Sequence, residues 1–159
     1  MCFSAPVSFA ASALLLPTGL YSLHSAYRQN PSYIPLACIP VAFGIQQACE
    51  GLVWIGIQNG FLAETNLAAL GFLLFAYWFW LFWSPWAVAC AESQPIVQLT
   101  CWVMGFVGLI YGGLLYLPLL RQPNWLSVHV VHQSIQYKTQ LIFDPWISQE
   151  VDRLLYAII

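Results

Sequence analysis

LAALGFLLFAYWFWLFWSPWAVACA, residues Leu67 to Ala91, carries no charged side chain and decides the class of fold. The hydrocarbon core of a bilayer is about 30 Å thick, and an α-helix needs about 20 apolar residues to cross it. This run is long enough. Thr65-Asn66 just before it offers N-cap side chains, and Glu92-Ser93-Gln94-Pro95 just after it reads as a tight turn. Beyond that turn a second apolar run covers about 96–120, with Gly105, Gly108 and Gly112 at i, i+3, i+7 spacing. Such a small-residue stripe lets another helix approach closely. Upstream, a span over about 34–57 has Pro35 and Pro40 in its first turns and ends at Asn59-Gly60. The first span covers about 6–23, where Pro17 predicts a kink. A polar link from Ser25 to Pro31, carrying Arg28, joins the two.

The composition agrees. Of 159 residues, 60% are hydrophobic, 16% aromatic and only 6% charged, against roughly 25% charged in a soluble domain. Four Lys or Arg and six Asp or Glu cannot give so much apolar surface a water-facing coat. The mean hydropathy of +0.72 says the same. A net charge of -2 argues against nucleic acid as a partner, because phosphate binding needs clustered Lys and Arg. The five cysteines (Cys2, Cys38, Cys49, Cys90, Cys101) form no CxxC pair, and four lie in or beside apolar runs as small hydrophobes. That argues against a disulfide framework or a cysteine zinc site. The N-terminus lacks a basic region, so it does not read as a cleaved signal peptide.

Residues 121–153 are too polar to span. Within them Ile135, Tyr137, Leu141 and Phe143 share one parity while Gln136, Lys138 and Gln140 take the other, the period of a half-buried strand. The expectation is an extramembrane β-hairpin-like flap over 126–143, lying on the bundle and closed by Asp144-Pro145. Residues 154–159 begin a further apolar run. The sequence thus predicts an all-α integral membrane fold in one domain: four transmembrane helices, a flap, and the start of a fifth helix. Counting crossings puts the N-terminus, the 58–66 loop and the flap on one face, with Arg28 and the Glu92 turn on the other. Arg121, Lys138 and Arg153 against Arg28 alone lean towards a cytoplasmic N-terminus.

Two motifs carry a family resemblance. The opening Met1-Cys2-Phe3-Ser4-Ala5 is followed by Ser8-Phe9, and Pro40-Val41-Ala42-Phe43-Gly44-Ile45-Gln46-Gln47 leads into Glu50-Gly51-Leu52-Val53-Trp54. Together they resemble an uncharacterised bacterial multi-pass membrane protein family with a Gln-Gln-x-x-Glu-Gly-x-x-Trp motif in the second helix. In that family a His-containing strand falls where His132 and Tyr137 lie here. The resemblance implies a bundle of about seven helices, of which this sequence would lack the last two, and it implies no activity.

Glu50 is the most informative single residue. A charged side chain at a helix centre costs about 2.5–3.5 kcal/mol on insertion scales, so an acid kept inside a span is paired or protonated. Gln46 and Trp54 lie one turn away and Gln47 three residues back, making a polar intramembrane cluster that must face the bundle interior. It reads either as a proton or ligand site or as a hydrogen-bonded knot between helices. Cys2, Ser4, His129 and His132 fall on the same face by the crossing count and are candidate pocket residues under the flap. Strand spacing turns His129 and His132 opposite ways, and no third ligand completes a zinc set, so no metal site is expected. Phe72, Phe75, Phe79, Phe82, Trp83 and Trp86 follow helical spacing and form an aromatic face. That face reads as lipid-facing bulk with Trp anchors, or as a docking face for a flat ring or for another protein's helices.

With no complete catalytic set, the expected function is non-catalytic: an accessory subunit packing against helices, lipids or pigments of a larger photosynthetic or respiratory membrane complex. Its partners would be membrane lipids, other membrane subunits and pigments. The alternative is an intramembrane enzyme, such as a lipid hydrolase, using Glu50 with Cys2 and the flap histidines. A transporter ranks lower, since there is a single deep carboxylate and no inverted repeat.

Overall fold

The computed structural model describes residues 4–131 and 134–140. They form α1 (Ala5–Gln29), a 3-10 turn (Pro31–Tyr33), α2 (Ile34–Ala37), α3 (Ile39–Asn59), α4 (Leu62–Leu73), a π-helical segment (Leu74–Phe79), α5 (Trp80–Ala91) and α6 (Pro95–Arg121). A second 3-10 turn (Pro123–Trp125) leads into β1 (Leu126–Val131) and β2 (Ser134–Thr139). Four helical stretches, Ala5–Gln29, Pro31–Asn59, Leu62–Ala91 and Pro95–Arg121, are long and apolar enough to cross a membrane. The expected start of a fifth helix at 154–159, the strand positions Leu141 and Phe143, and the closing Asp144-Pro145 lie outside the described residues.

The helix ends differ from the sequence expectation for local reasons. The first helix runs past residue 23 through the polar link, where Gln29 Nε2 donates to Ser25 Oγ at 2.9 Å and Arg28 occupies the last turn, favourable to the helix dipole. Asn30 then stops it, its side chain accepting from the Ser32 amide at 3.1 Å. Pro17 does not break α1. The second stretch is interrupted at Cys38, between Pro35 and Pro40; Pro40 lacks the N–H that would continue the ladder there.

The turn into the third stretch is set by Gly60, whose φ of +72° is left-handed, a conformation costly for residues with a Cβ. The Phe61 amide donates to Gly56 O at 3.0 Å and the Gly60 amide to Ile57 O at 3.3 Å, the paired bonds that close a helix on a left-handed residue. The chain turns straight into α4, which starts at Leu62 rather than 67. Thr65 is therefore inside the helix and not a cap; its Oγ1 donates back to Phe61 O at 2.7 Å. Leu74–Phe79 adopts the wider π geometry, which advances the side-chain register within the aromatic run. A stretch apolar all round gives no periodic signal for such a change.

The helices pack mainly on their sequence neighbours: α1 on α3, α3 on α4, and α5 on α6. Small residues set the closest approaches. A Cβ on Gly112 would stand 2.7 Å from the Tyr77 carbonyl oxygen, and one on Gly105 would stand 3.3 Å from that of Phe82. Gly108 lies against the Leu81 carbonyl. At the Glu92 turn the carboxylate accepts from the amides of Ser93 at 2.7 Å and Gln94 at 2.9 Å. The Gln94 amide first, then that of Ser93, holds Glu92 below the usual carboxylate range.

The antiparallel hairpin pairs Val128 with Tyr137, His129 with Gln136, and Val130 with Ile135. Its inner residues Leu126 and Ile135 join a cluster with Ala5, Val53, Trp54, Ala69, Leu73, Tyr116 and Leu119. The start of α1 and the hairpin therefore share one end of the molecule. Ile135 is buried while Gln136 and Lys138 are exposed, the alternation of a strand with one covered face. The hairpin lies along the flank of the third stretch and not across its end: Tyr77, about four turns into that helix, meets Thr139 Oγ1 through its hydroxyl at 3.0 Å.

Candidate functional site

The polar cluster sits on α3 where that helix is covered on several sides. Gln46 is 7% exposed, Glu50 3% and Trp54 6%; Gln47 is half-buried. Glycines bring the neighbours in: Gly51 faces the ring of Phe9 and Gly44 faces Leu16, both on α1. Among the described Asp, Glu, Lys and Arg residues only Glu50 is buried; Arg28, Glu64, Arg121 and Lys138 are exposed and Glu92 is partly so. An ionised carboxylate so placed must be compensated or neutralised.

Two aromatic residues complete the surroundings. Trp80, from α5, donates its indole N–H to Gln46 Oε1 at 2.8 Å and packs its ring 4.3 Å from that of Phe43. Tyr137, from β2, stacks on Phe72 with centroids 4.9 Å apart. Its hydroxyl is buried with no hydrogen-bond partner among the described residues. Burial pushes this phenol above its ordinary value, and the charge of Glu50 and then Cys49 push it further. The hairpin thus reaches the neighbourhood of Glu50 through Tyr137. The sequence reading placed neither Trp80 nor Tyr137 in the cluster. Tyr137 shares the parity of Ile135, which was the available signal; Trp80 falls off the spacing of the aromatic series and gave none.

The other candidate pocket residues are placed as follows. His129 is exposed and pairs with the exposed Gln136, on the hairpin face opposite Ile135 and Tyr137, so it does not join Glu50. Ser4 precedes α1 and its carbonyl accepts from the Ser8 amide at 3.2 Å and the Ser8 hydroxyl at 3.3 Å. Cys2 and His132 lie outside the described residues. Among the described residues no three His, Cys, Asp or Glu gather to hold a metal ion.

Most of the aromatic face forms a chain of touching rings. Phe75 meets Phe79 at 5.2 Å, Phe79 stacks on Trp83 at 5.0 Å, Trp83 meets Trp86 at 5.0 Å, and Trp86 reaches Trp102 of α6 at 6.2 Å. Phe82 touches Phe79 and Trp83 from the side. Phe72 departs from the chain to the hairpin. The Trp83 indole N–H donates to Pro35 O at 3.0 Å, so this ring is tied to the second stretch. Phe82, Trp86 and Trp102 wall a cavity of about 230 Å³ floored by Gly105.

No family model matches the chain, and neither a curated protein nor a solved structure matches it.

Proposed function

We propose that this chain is a non-catalytic multi-pass membrane protein, an accessory subunit that packs against helices, lipids or pigments of a larger photosynthetic or respiratory complex. One observation carries the reading. Along α6, Ile96, Leu99, Trp102, Val103, Phe106, Val107, Ile110, Leu114 and Leu117 are all exposed, so among the described residues apolar side chains cover the faces of the helix that α5, the π-helical segment and α4 leave open. Apolar surface of this extent needs lipid or another protein around it. The family resemblance of the motif from Pro40 to Trp54 and of the opening Met1-Cys2-Phe3-Ser4-Ala5 bears on the multi-pass membrane fold alone and leaves the activity open. The test is gentle detergent extraction, then native electrophoresis with absorbance: migration with a larger assembly, coloured or not, supports it.

A second reading has its own observation. Glu50 is buried and its charge acts on the phenol of Tyr137, whose hydroxyl has no hydrogen-bond partner among the described residues, an arrangement suited to proton transfer in an intramembrane enzyme such as a lipid hydrolase. The flap histidines contribute less to this than the sequence suggested, since His129 stands on the far side of the hairpin. Loss of a lipid-cleaving activity in Glu50→Gln would favour it; an inactive parent protein would remove it.

A further inference from the structure

A furrow of about 510 Å³ runs along the outer side of the seam between α3 and α4. Leu52 and Ile55 form one wall, Leu67 and Ala68 the other. At the end beside the Gly60 turn stand Phe61 and Glu64; at the far end stands Cys49. There the two helices close up, since a Cβ on Gly71 would lie 3.0 Å from Cys49 Sγ. The distance along α3 from the turn to Cys49 is about 15 Å. Among the described residues none covers the walls: Leu52 is 51% exposed, Phe61 55% and Leu67 73%.

The furrow has the layout of an amphiphile's site. One exposed carboxylate stands at the mouth and only apolar walls lie beyond, within the volume range of ligand pockets. Its charge is one-sided. Among the described residues no Lys or Arg lines it, so an anionic headgroup would meet the carboxylate of Glu64. The first amides of α4 and the final carbonyls of α3 meet at this end and offset one another, so Glu64 alone sets the sign of the charge there. We propose that this furrow binds one acyl chain of a membrane lipid whose headgroup ends in a primary ammonium, with Glu64 as the ammonium's partner. This rests on the reading of the chain as membrane-spanning.

The test uses the full chain, extracted and stripped of lipid. It is titrated with phosphatidylethanolamine or phosphatidylglycerol of identical acyl chains and followed by native mass spectrometry. The expected result is a preference of about two- to fivefold for the ethanolamine lipid, the size of an exposed charge pair. Glu64→Gln, at a surface position, abolishes that preference, and Leu52→Trp, filling the furrow from an exposed wall, weakens binding of both lipids. Equal binding, preference for phosphatidylglycerol, or an unchanged preference in Glu64→Gln overturns the site. An alkaline carbonate wash separates the two failures: a chain that washes off membranes sinks the membrane reading itself, whereas one that stays but shows no preference sinks only the lipid site.

Discussion

Trp80 on α5 donates its indole N–H to the side-chain oxygen of Gln46 on α3 at 2.8 Å. The bond ties the second helical stretch to the third beside Glu50, among residues where water cannot replace a lost partner. Trp80→Phe or Gln46→Leu alone leaves a buried polar group unsatisfied and lowers stability in detergent by about 1–3 kcal/mol. The double substitution removes both partners and costs less than the two singles added. A thermal-unfolding double-mutant cycle measures this coupling; strict additivity would show that the bond contributes nothing.

Tyr137→Phe removes a buried hydroxyl that has no partner among the described residues while keeping the ring stacked on Phe72. Its expected effect is a gain of about 1 kcal/mol. Ile135→Ala, which empties a position 3% exposed, has the opposite effect, a loss of about 2–5 kcal/mol. Protease protection of the hairpin, compared across the two variants, reads this contrast.

The same phenol makes hairpin docking sensitive to alkali. Its pKa is raised above the ordinary value of 10.0 when docked, by burial first and by Glu50 next. A raised value means that the docked state holds the proton more tightly. Docking is therefore at full strength below pH 10 and weakens as pH climbs from there through the docked-state value. Tyr137→Phe loses this dependence, and Glu50→Gln moves the alkaline weakening to lower pH. Hairpin proteolysis as a function of pH is the measurement.

The glycines of α6 rank by the space around them. Gly108 lies on the Leu81 carbonyl and Gly112 on that of Tyr77, both backbone groups that cannot swing aside, while Gly105 has slightly more room. Gly108→Ala and Gly112→Ala each cost about 1–3 kcal/mol by overpacking, and Gly105→Ala costs less. Melting temperatures of the three variants give the order.

What the sequence made legible follows from which signals are periodic. The four stretches could be read because apolar length is itself the signal, and the hairpin because Ile135 and Tyr137 alternate with Gln136 and Lys138. The start of α4 could not. Thr65 and Asn66 look like caps, yet the left-handed Gly60 had already turned the chain at Leu62. The π-helical turn at Leu74–Phe79 left no trace in a run apolar on every side, and it was this turn that set which rings meet. Gln46, Glu50 and Trp54 stood out as polar groups in an apolar helix. Trp80 and Tyr137 reach them from remote segments, and contacts of that kind are invisible to local spacing.

The central claim is that this chain works inside a membrane as a partner of other helices, and gentle extraction followed by native electrophoresis tests it most directly. The chain is expected to resist a carbonate wash and then to migrate with an assembly well above its own 17.9 kDa plus detergent. A lone, colourless monomer would contradict it.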